Sequence, residues 1–256
     1  MLIYSPLEQF EVVPLINLNI PLFGYLNLSL TNLAVYSLIV FTLVLFLHLA
    51  FKGTGSNDTK LIPSKWAIAF ESSFASINAI VREQIGLRNE IYLPFIYSLF
   101  FFIIIANLIG NIPYSFAITT SIILSVGLSF TIFIGVSIIG LVKHGLHFFS
   151  FFIPAGTPLA LVPLLVLIEL TSYLARAVSL GVRLFANITA GHTLLKILST
   201  FLFQLFSSSL IVAGLTLIPF SIFVALIGLE IGVSIIQSYV FILLTSSYIK
   251  DSLTLH

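Results

Sequence analysis

The chain has 256 residues, of which 59% are hydrophobic and 7% charged, with a formal net charge of +1 and no cysteine. Ordinary soluble domains carry about a quarter charged residues, so no water-soluble domain of useful size could cover its own surface here, and one membrane domain over 1–256 is expected. Disulfides, thiolate metal sites and cysteine nucleophiles are excluded, and a near-neutral charge gives no reason to expect nucleic acid as a partner.

Residues 1–31 hold Pro6, Pro14, Pro21 and Gly24 without Lys or Arg, which reads as an irregular or amphipathic lead-in. No basic segment precedes a small-residue cleavage site, and Glu8 and Glu11 oppose an Arg-rich transit peptide, so the spans themselves are expected to drive insertion. The first span, 30–51, is apolar apart from His48 and is long enough for a bilayer core of about 30 Å. After a polar linker, 66–90 sets Trp66, Phe70, Phe74, Ile77 and Val81 at helical spacing among Glu71, Arg82, Glu83 and Arg88, the pattern of a helix lying on the membrane surface. A transmembrane hairpin follows over 91–142, its arms 91–112 and 116–142 meeting near Pro113. Lys52, Lys60, Lys65, Arg82, Arg88 and Lys143 fall on one side of these three spans, so the N-terminus is expected outside and the 52–90 segment inside.

Pro154, Pro158 and Pro163 forbid a continuous helix before the last stretch, and Pro219 marks a potential kink within it. The polar run at 204–210 suggests two helices, about 163–205 and 208–250, forming a long hairpin that must tilt strongly because each is about twice the bilayer core in length. The fold class is therefore an all-α integral membrane protein: transmembrane helices, a surface amphipathic helix, and a long tilted two-helix hairpin.

That hairpin carries Glu169, Arg176, Arg183, His192, Lys196, Glu230, Lys250 and Asp251 in an otherwise apolar chain. An arginine or carboxylate at mid-membrane costs about 2.5–3.5 kcal/mol, so such a set needs a compensating reason. A turn centred near residue 210 sets Arg183 opposite Gln237, His192 opposite Glu230 and Glu169 opposite Asp251. Arginine keeps its proton at physiological pH, whereas carboxylates and histidine exchange theirs. The pattern suggests two polar half-paths separated by a fixed cation, with a protonatable carboxylate on a partner subunit carrying protons between them.

The stretch "SLGVRLFANITAGH" at 179–192 resembles the signature of F-type ATP synthase subunit a. The resemblance extends over "ANLIGNIPYSFA" at 106–117, "KHGLHFFSFFIPAGTPLALVPLLVLIE" at 143–169 and "SYIKDSLTLH" at the C-terminus. Val182 stands where the family usually has leucine. The resemblance implies that Arg183 is the essential stator arginine facing a rotating c-ring. By the same resemblance, His192 and Glu230 line the proton inlet, Glu169 and Asp251 the exit, and Arg176, Asn187 and Gln237 are supporting polar groups. Having His at 192 and Glu at 230, the reverse of the bacterial arrangement, makes the chain look mitochondrial and fungal. The implied protein is a non-catalytic, proton-conducting subunit of the mitochondrial inner membrane, with its N-terminus toward the intermembrane space and 52–90 toward the matrix. Its implied partners are the c-ring proteolipids, other membrane and peripheral-stalk ATP synthase subunits, and lipid. No cofactor and no metal are expected, since His144 and His147 lack a third ligand nearby.

Plainer alternatives stand beside these roles. Arg183 has the option of pairing with a carboxylate of its own chain, Arg176 of serving structure, and Asn187 of making a helix–helix contact. An ideal helix turns His192 about 180° from Arg183, toward another cleft. Lys196 reads as a snorkelling lysine, and Gly228 and Gly232 beside Glu230 as room for water or a neighbouring helix. A self-contained transporter would show inverted repeats, which are not evident, and a structural anchor would have no use for register-matched ionisable groups.

Overall fold

The computed structural model describes residues 5, 7–19, 27–51, 65–112, 115–153, 161–207, 214 and 216–254. The 52–64 loop, Pro6, Pro21, Gly24, Pro113, Pro154, Pro158 and the expected turn centre at 208–210 lie outside the described residues.

Among the described residues, six long α-helices follow in chain order: α1 Asn32–Phe51, α2 Lys65–Gln84, α3 Leu93–Gly110, α4 Ile122–His144, α5 Val162–Phe206 and α6 Leu217–Leu253. All but α2 belong to stretches long and apolar enough to cross a membrane. At 45 and 37 residues, α5 and α6 are roughly 67 and 55 Å long by helical rise. Pro94, Pro163 and Pro219 each sit in the first turn of α3, α5 and α6, where the missing N–H has no intrahelical partner to lose. From Leu217, α6 runs as one helix past Pro219.

Two further elements differ from the expectations set by the sequence. The lead-in forms an antiparallel pair, β1 Pro14–Asn19 with β2 Asn27–Thr31, bulged between Pro14 and Ile16. Asn32 fixes this segment to the start of α1: its Oδ1 accepts from Val13 N–H at 3.3 Å and its Nδ2 donates to the Glu11 carbonyl at 3.0 Å. The helix expected over 66–90 stops at Gln84, because Gly86 adopts φ 91, a left-handed value open to glycine. A 3-10 turn over Leu87–Tyr92 then leads into α3, with an exposed Arg82–Glu90 ion pair of 2.8 Å alongside. Exposure on both sides makes that pair worth little.

The chain divides into two compact units. The first comprises Met1–Phe46, Phe102–Ser121 and Leu184–Gln237. Its core gathers Val40, Ile103, Ala106, Asn107, Ile118, Leu184, Ile188 and Ser234. The second comprises Leu47–Phe101, Ile122–Arg183 and Ser238–His256. There Ile77, Val81, Ile96, Val136, Leu180, Phe241, Ile242, Thr245, Ser246 and Ile249 are buried. His48, on the last turns of α1, meets the edges or faces of Phe70, Tyr97 and Phe101 with ring centroids 5.1–6.3 Å away. Gly181 lets α5 approach α4 closely, since a Cβ there would lie 2.5 Å from Ser129 Oγ and 2.7 Å from Val126 Cα. Lys143 donates to the Leu253 carbonyl at 3.1 Å, and His144 Nε2 lies 3.2 Å from the same oxygen, so both serve the C-terminus of α6.

Polarity is arranged as a lipid solvent requires. Ser125, Ser129, Ser234, Ser238, Thr245 and Ser246 are buried, while Ile91, Ile123 and Val142 are more than four-fifths exposed. The buried hydroxyls turn back on their own helices: Ser234 donates to the Glu230 carbonyl at 2.9 Å and Thr245 to that of Phe241 at 2.9 Å. Such bonds give these hydroxyls an acceptor within their own helix.

Candidate functional site

In the first unit, α5 and α6 present His192 and Glu230 to each other. His192 Nδ1 lies 3.7 Å from Glu230 Oε1, close enough to pair when the imidazole is protonated but too long for a direct hydrogen bond. The packing that permits this runs through Gly191: a Cβ there would stand 2.7 Å from Glu230 Oε1 and 3.2 Å from its carboxyl carbon. Gly228 and Gly232 have open space where a Cβ would point, so the glycine admitting a close neighbour lies on α5. Earlier on the same helix, Asn187 donates from Nδ2 to Gln237 Oε1 at 2.9 Å.

A cavity of about 780 Å³ opens beside this cluster. His192, Glu230, Lys196, Asn111, Ser115 and Gln9 are among its lining residues. Gln9 Nε2, Asn111 Oδ1, His192 Nε2 and Glu230 Oε1 are all buried without a hydrogen-bond partner among the described residues. A space of this size with these polar residues in its lining suits water. Lys196, read from sequence as a snorkelling side chain, borders the same cavity. A polar chain continues from it: Asn111 Nδ2 donates to Ser234 Oγ at 2.9 Å, and Asn107 Nδ2 to the Ser234 carbonyl at 3.4 Å.

In the second unit, Arg176 stands between two carboxylates. Its guanidinium donates to Asp251 Oδ2 at 3.1 Å and to Glu169 Oε1 at 3.4 Å, each group being about one-third exposed. Glu169 and Asp251, expected opposite each other, are thus joined through the arginine that the sequence marks only as a supporting group. Tyr173, Tyr248 and Phe133 complete the surroundings, with Tyr173 Oη and Ser137 Oγ 2.8 Å apart and Tyr248 Oη donating to the Arg176 carbonyl at 3.5 Å.

Gln237, expected opposite Arg183, has Asn187 as its partner, one turn later on α5. His192 and Glu230 meet as expected, so the offset is local to Gln237, which reaches the side chain four residues after Arg183. Arg183 itself is exposed and, among the described residues, forms neither an ion pair nor a hydrogen bond through its side chain. The buried positions Ala177, Leu180 and Gly181 occupy the other side of α5, so Ala175, Ser179, Val182 and Arg183 face outward. Farther along the helix Ala186, Asn187 and Ala190 are exposed as well.

Reasoning from sequence misses Gly191, Asn111, Ser234 and the N-terminal residue Gln9. Gly191 directly precedes His192 and carries a local signal; the others become neighbours only through tertiary packing. Comparison with known proteins agrees with the resemblance carried by the motifs. A model of the family described as ATP synthase A chain matches residues 34–250. The chain is 65% identical over 255 residues to ATP synthase subunit a of Mycosarcoma maydis, covering 100% of this chain and 99% of that one. It is 50% identical over 253 residues to subunit a of Podospora anserina, covering 98% and 94%. With subunit a of Neurospora crassa the identity is 50% over 255 residues, covering 99% and 95%. With the match extending over nearly all of its membrane-spanning helices, the chain belongs to the ATP synthase A chain family.

Proposed function

We propose that this chain, a multi-pass membrane component of the ATP synthase, conducts protons to and from a rotating c-ring through two offset half-channels and performs no catalysis itself. The observation that carries the reading is Arg183: an exposed guanidinium without a counter-ion among the described residues, beside the small exposed side chains of Ala175, Ser179 and Val182. A cation placed in an apolar helix face at a cost of about 2.5–3.5 kcal/mol needs a partner from outside the chain. Small neighbours allow another helix to approach closely. A ring carboxylate, neutral toward lipid and ionised opposite Arg183, meets both requirements.

In this reading the cavity beside His192 and Glu230 is the proton inlet, and the Glu169–Arg176–Asp251 cluster borders the exit. Asn187 and Gln237 hold α5 and α6 together between polar groups. The location is the mitochondrial inner membrane, with the N-terminus toward the intermembrane space and the 52–90 segment toward the matrix. The excess of Lys and Arg in 52–90 over 1–31 supports that orientation.

Because the chain has no cysteine, the proposed ring-facing side can be mapped one thiol at a time. In the intact enzyme, Ser179→Cys and Ala186→Cys carrying a thiol-linked photocrosslinker should yield adducts with a small proteolipid, while Leu184→Cys, buried at 0% exposure, should not. Adducts from Leu184→Cys alone would mean that the other side of α5 meets the ring.

Gly191 supplies a further check on the inlet. Gly191→Ala places a methyl group 2.7 Å from Glu230 Oε1, which must then withdraw from its position against α5. Overpacking of this kind costs about 1–3 kcal/mol. Proton flux through reconstituted enzyme should fall by about tenfold at unchanged complex assembly; an unchanged flux would show that the contact has no part in the inlet.

A further inference from the structure

We infer that the N-terminal turn Glu8–Phe10 is a working part of the inlet, with Phe10 positioning the His192 imidazole and Gln9 placing a polar side chain on the wall of the same cavity. The inference rests on the inlet reading above and adds to it a segment that lies outside the helices.

Phe10 meets His192 edge-on, with ring centroids 6.4 Å apart and planes inclined at 70°. Aromatic pairs favour this arrangement because the positive ring edge meets the negative face. The imidazole has no hydrogen bond of its own, among the described residues, to set its rotation: Nε2 is buried and unpartnered, and Nδ1 is 3.7 Å from Glu230. Orientation must then come from packing, and Phe10 is the aromatic neighbour the structure provides. A rotated ring would carry Nδ1 away from the carboxylate with which it exchanges a proton, and transfer between groups depends steeply on such alignment.

Gln9 belongs to the lining of the same cavity, and its Nε2 is buried and unpartnered among the described residues. The turn is held in place. Glu8 N–H donates to the Ser5 carbonyl and Phe10 N–H to that of Leu7, both at 3.1 Å. Downstream, Asn32 at the head of α1 grips Glu11 and Val13 through its side-chain amide, and its own N–H donates to the Val13 carbonyl at 3.1 Å. A segment tied to α1 in this way can keep Phe10 against His192 while its charged neighbours Glu8 and Glu11 stay exposed.

The test is passive proton flux through the whole enzyme in liposomes, driven by an imposed potential and normalised to assembled complex. Phe10→Ala should lower the flux by about two- to tenfold. Phe10→Tyr, which keeps the ring edge, should restore it to the wild-type range. Gln9→Leu should lower it in the same sense. The double variant Phe10→Ala/His192→Ala should conduct no more slowly than His192→Ala alone, because the phenyl ring acts through the imidazole. Wild-type flux in Phe10→Ala, or losses that multiply in the double variant, would overturn the inference. Should Phe10→Ala fail to assemble, Phe10→Leu keeps apolar volume without the ring, and the same outcomes decide. If His192→Ala itself conducts like wild type, the inlet reading fails and this inference with it. A slow His192→Ala beside an unaffected Phe10→Ala removes the N-terminal turn alone.

Discussion

Replacing Arg183 by alanine is expected to abolish ATP synthesis driven by an imposed proton gradient, abolish ATP-driven proton pumping, and raise passive leak. The sign of the stability effect separates this outcome from misfolding. The Arg183 side chain makes no ion pair or hydrogen bond among the described residues, and a membrane-embedded arginine costs about 2.5–3.5 kcal/mol, so alanine should insert at least as readily. Complex content should be unchanged while coupling disappears. What alanine removes is a permanent positive charge on an exposed helix face, together with the electrostatic preference for an ionised carboxylate opposite it. Without that preference a ring carboxylate has no reason to release its proton on arrival, and nothing repels a proton passing directly between half-paths. Comparing the three fluxes in inverted membrane vesicles decides the matter. Retained ATP-driven pumping in Arg183→Ala would leave the arginine without its proposed role.

The same charge shows what a sequence can and cannot disclose here. Scarcity of charged residues and the long apolar runs determine the all-α membrane class, because a bilayer demands about 20 apolar residues per crossing and internal satisfaction of every backbone group. The pairing of His192 with Glu230 is also legible, since folding the sequence back about a turn near residue 210 sets the two side by side. Gln237 is displaced by about one turn from its expected partner, because residues one turn apart share a helix face and number matching alone does not decide between Arg183 and Asn187. Pro219 lies in the first turn of α6, a placement that depends on where the helix starts and that composition does not give. The glycines show a similar limit. Gly228 and Gly232 draw notice because they flank Glu230, while the close approach occurs at Gly191, a distinction made by side-chain direction rather than by sequence distance.

Arg176 adds a second lesson about charge in the membrane. From sequence, Glu169 and Asp251 form a facing pair of like charges, an arrangement that is unfavourable unless a cation intervenes. Arg176 is that cation, reaching both carboxylates from within α5. Its place is therefore to hold two acidic groups together, whereas Arg183, two helical turns on, is left without such a partner among the described residues. Two arginines in one helix thus stand differently: Arg176 is paired within its own chain, and Arg183 forms no ion pair among the described residues.

The second large effect is expected at Glu230, where Glu230→Gln should reduce proton flux by roughly 100-fold, the scale typical of losing a positioned proton donor or acceptor. Glutamine matches glutamate in shape, so the contact with Gly191 and the packing between α5 and α6 should persist. Burying a neutral amide also costs less than burying a carboxylate, so assembly should be no worse than in the wild type. The lost property is proton exchange itself. Among the described lining of the 780 Å³ cavity Glu230 is the sole carboxylate, and water alone supplies no group of comparable affinity to hand a proton onward. Glu230→Asp should fall between the two, because the shorter side chain keeps the acid but withdraws it from His192, now 3.7 Å away. Flux measured in liposomes at equal complex content provides the ranking wild type, Asp, Gln. A glutamine variant conducting within a factor of about two of wild type would make Glu230 a packing residue.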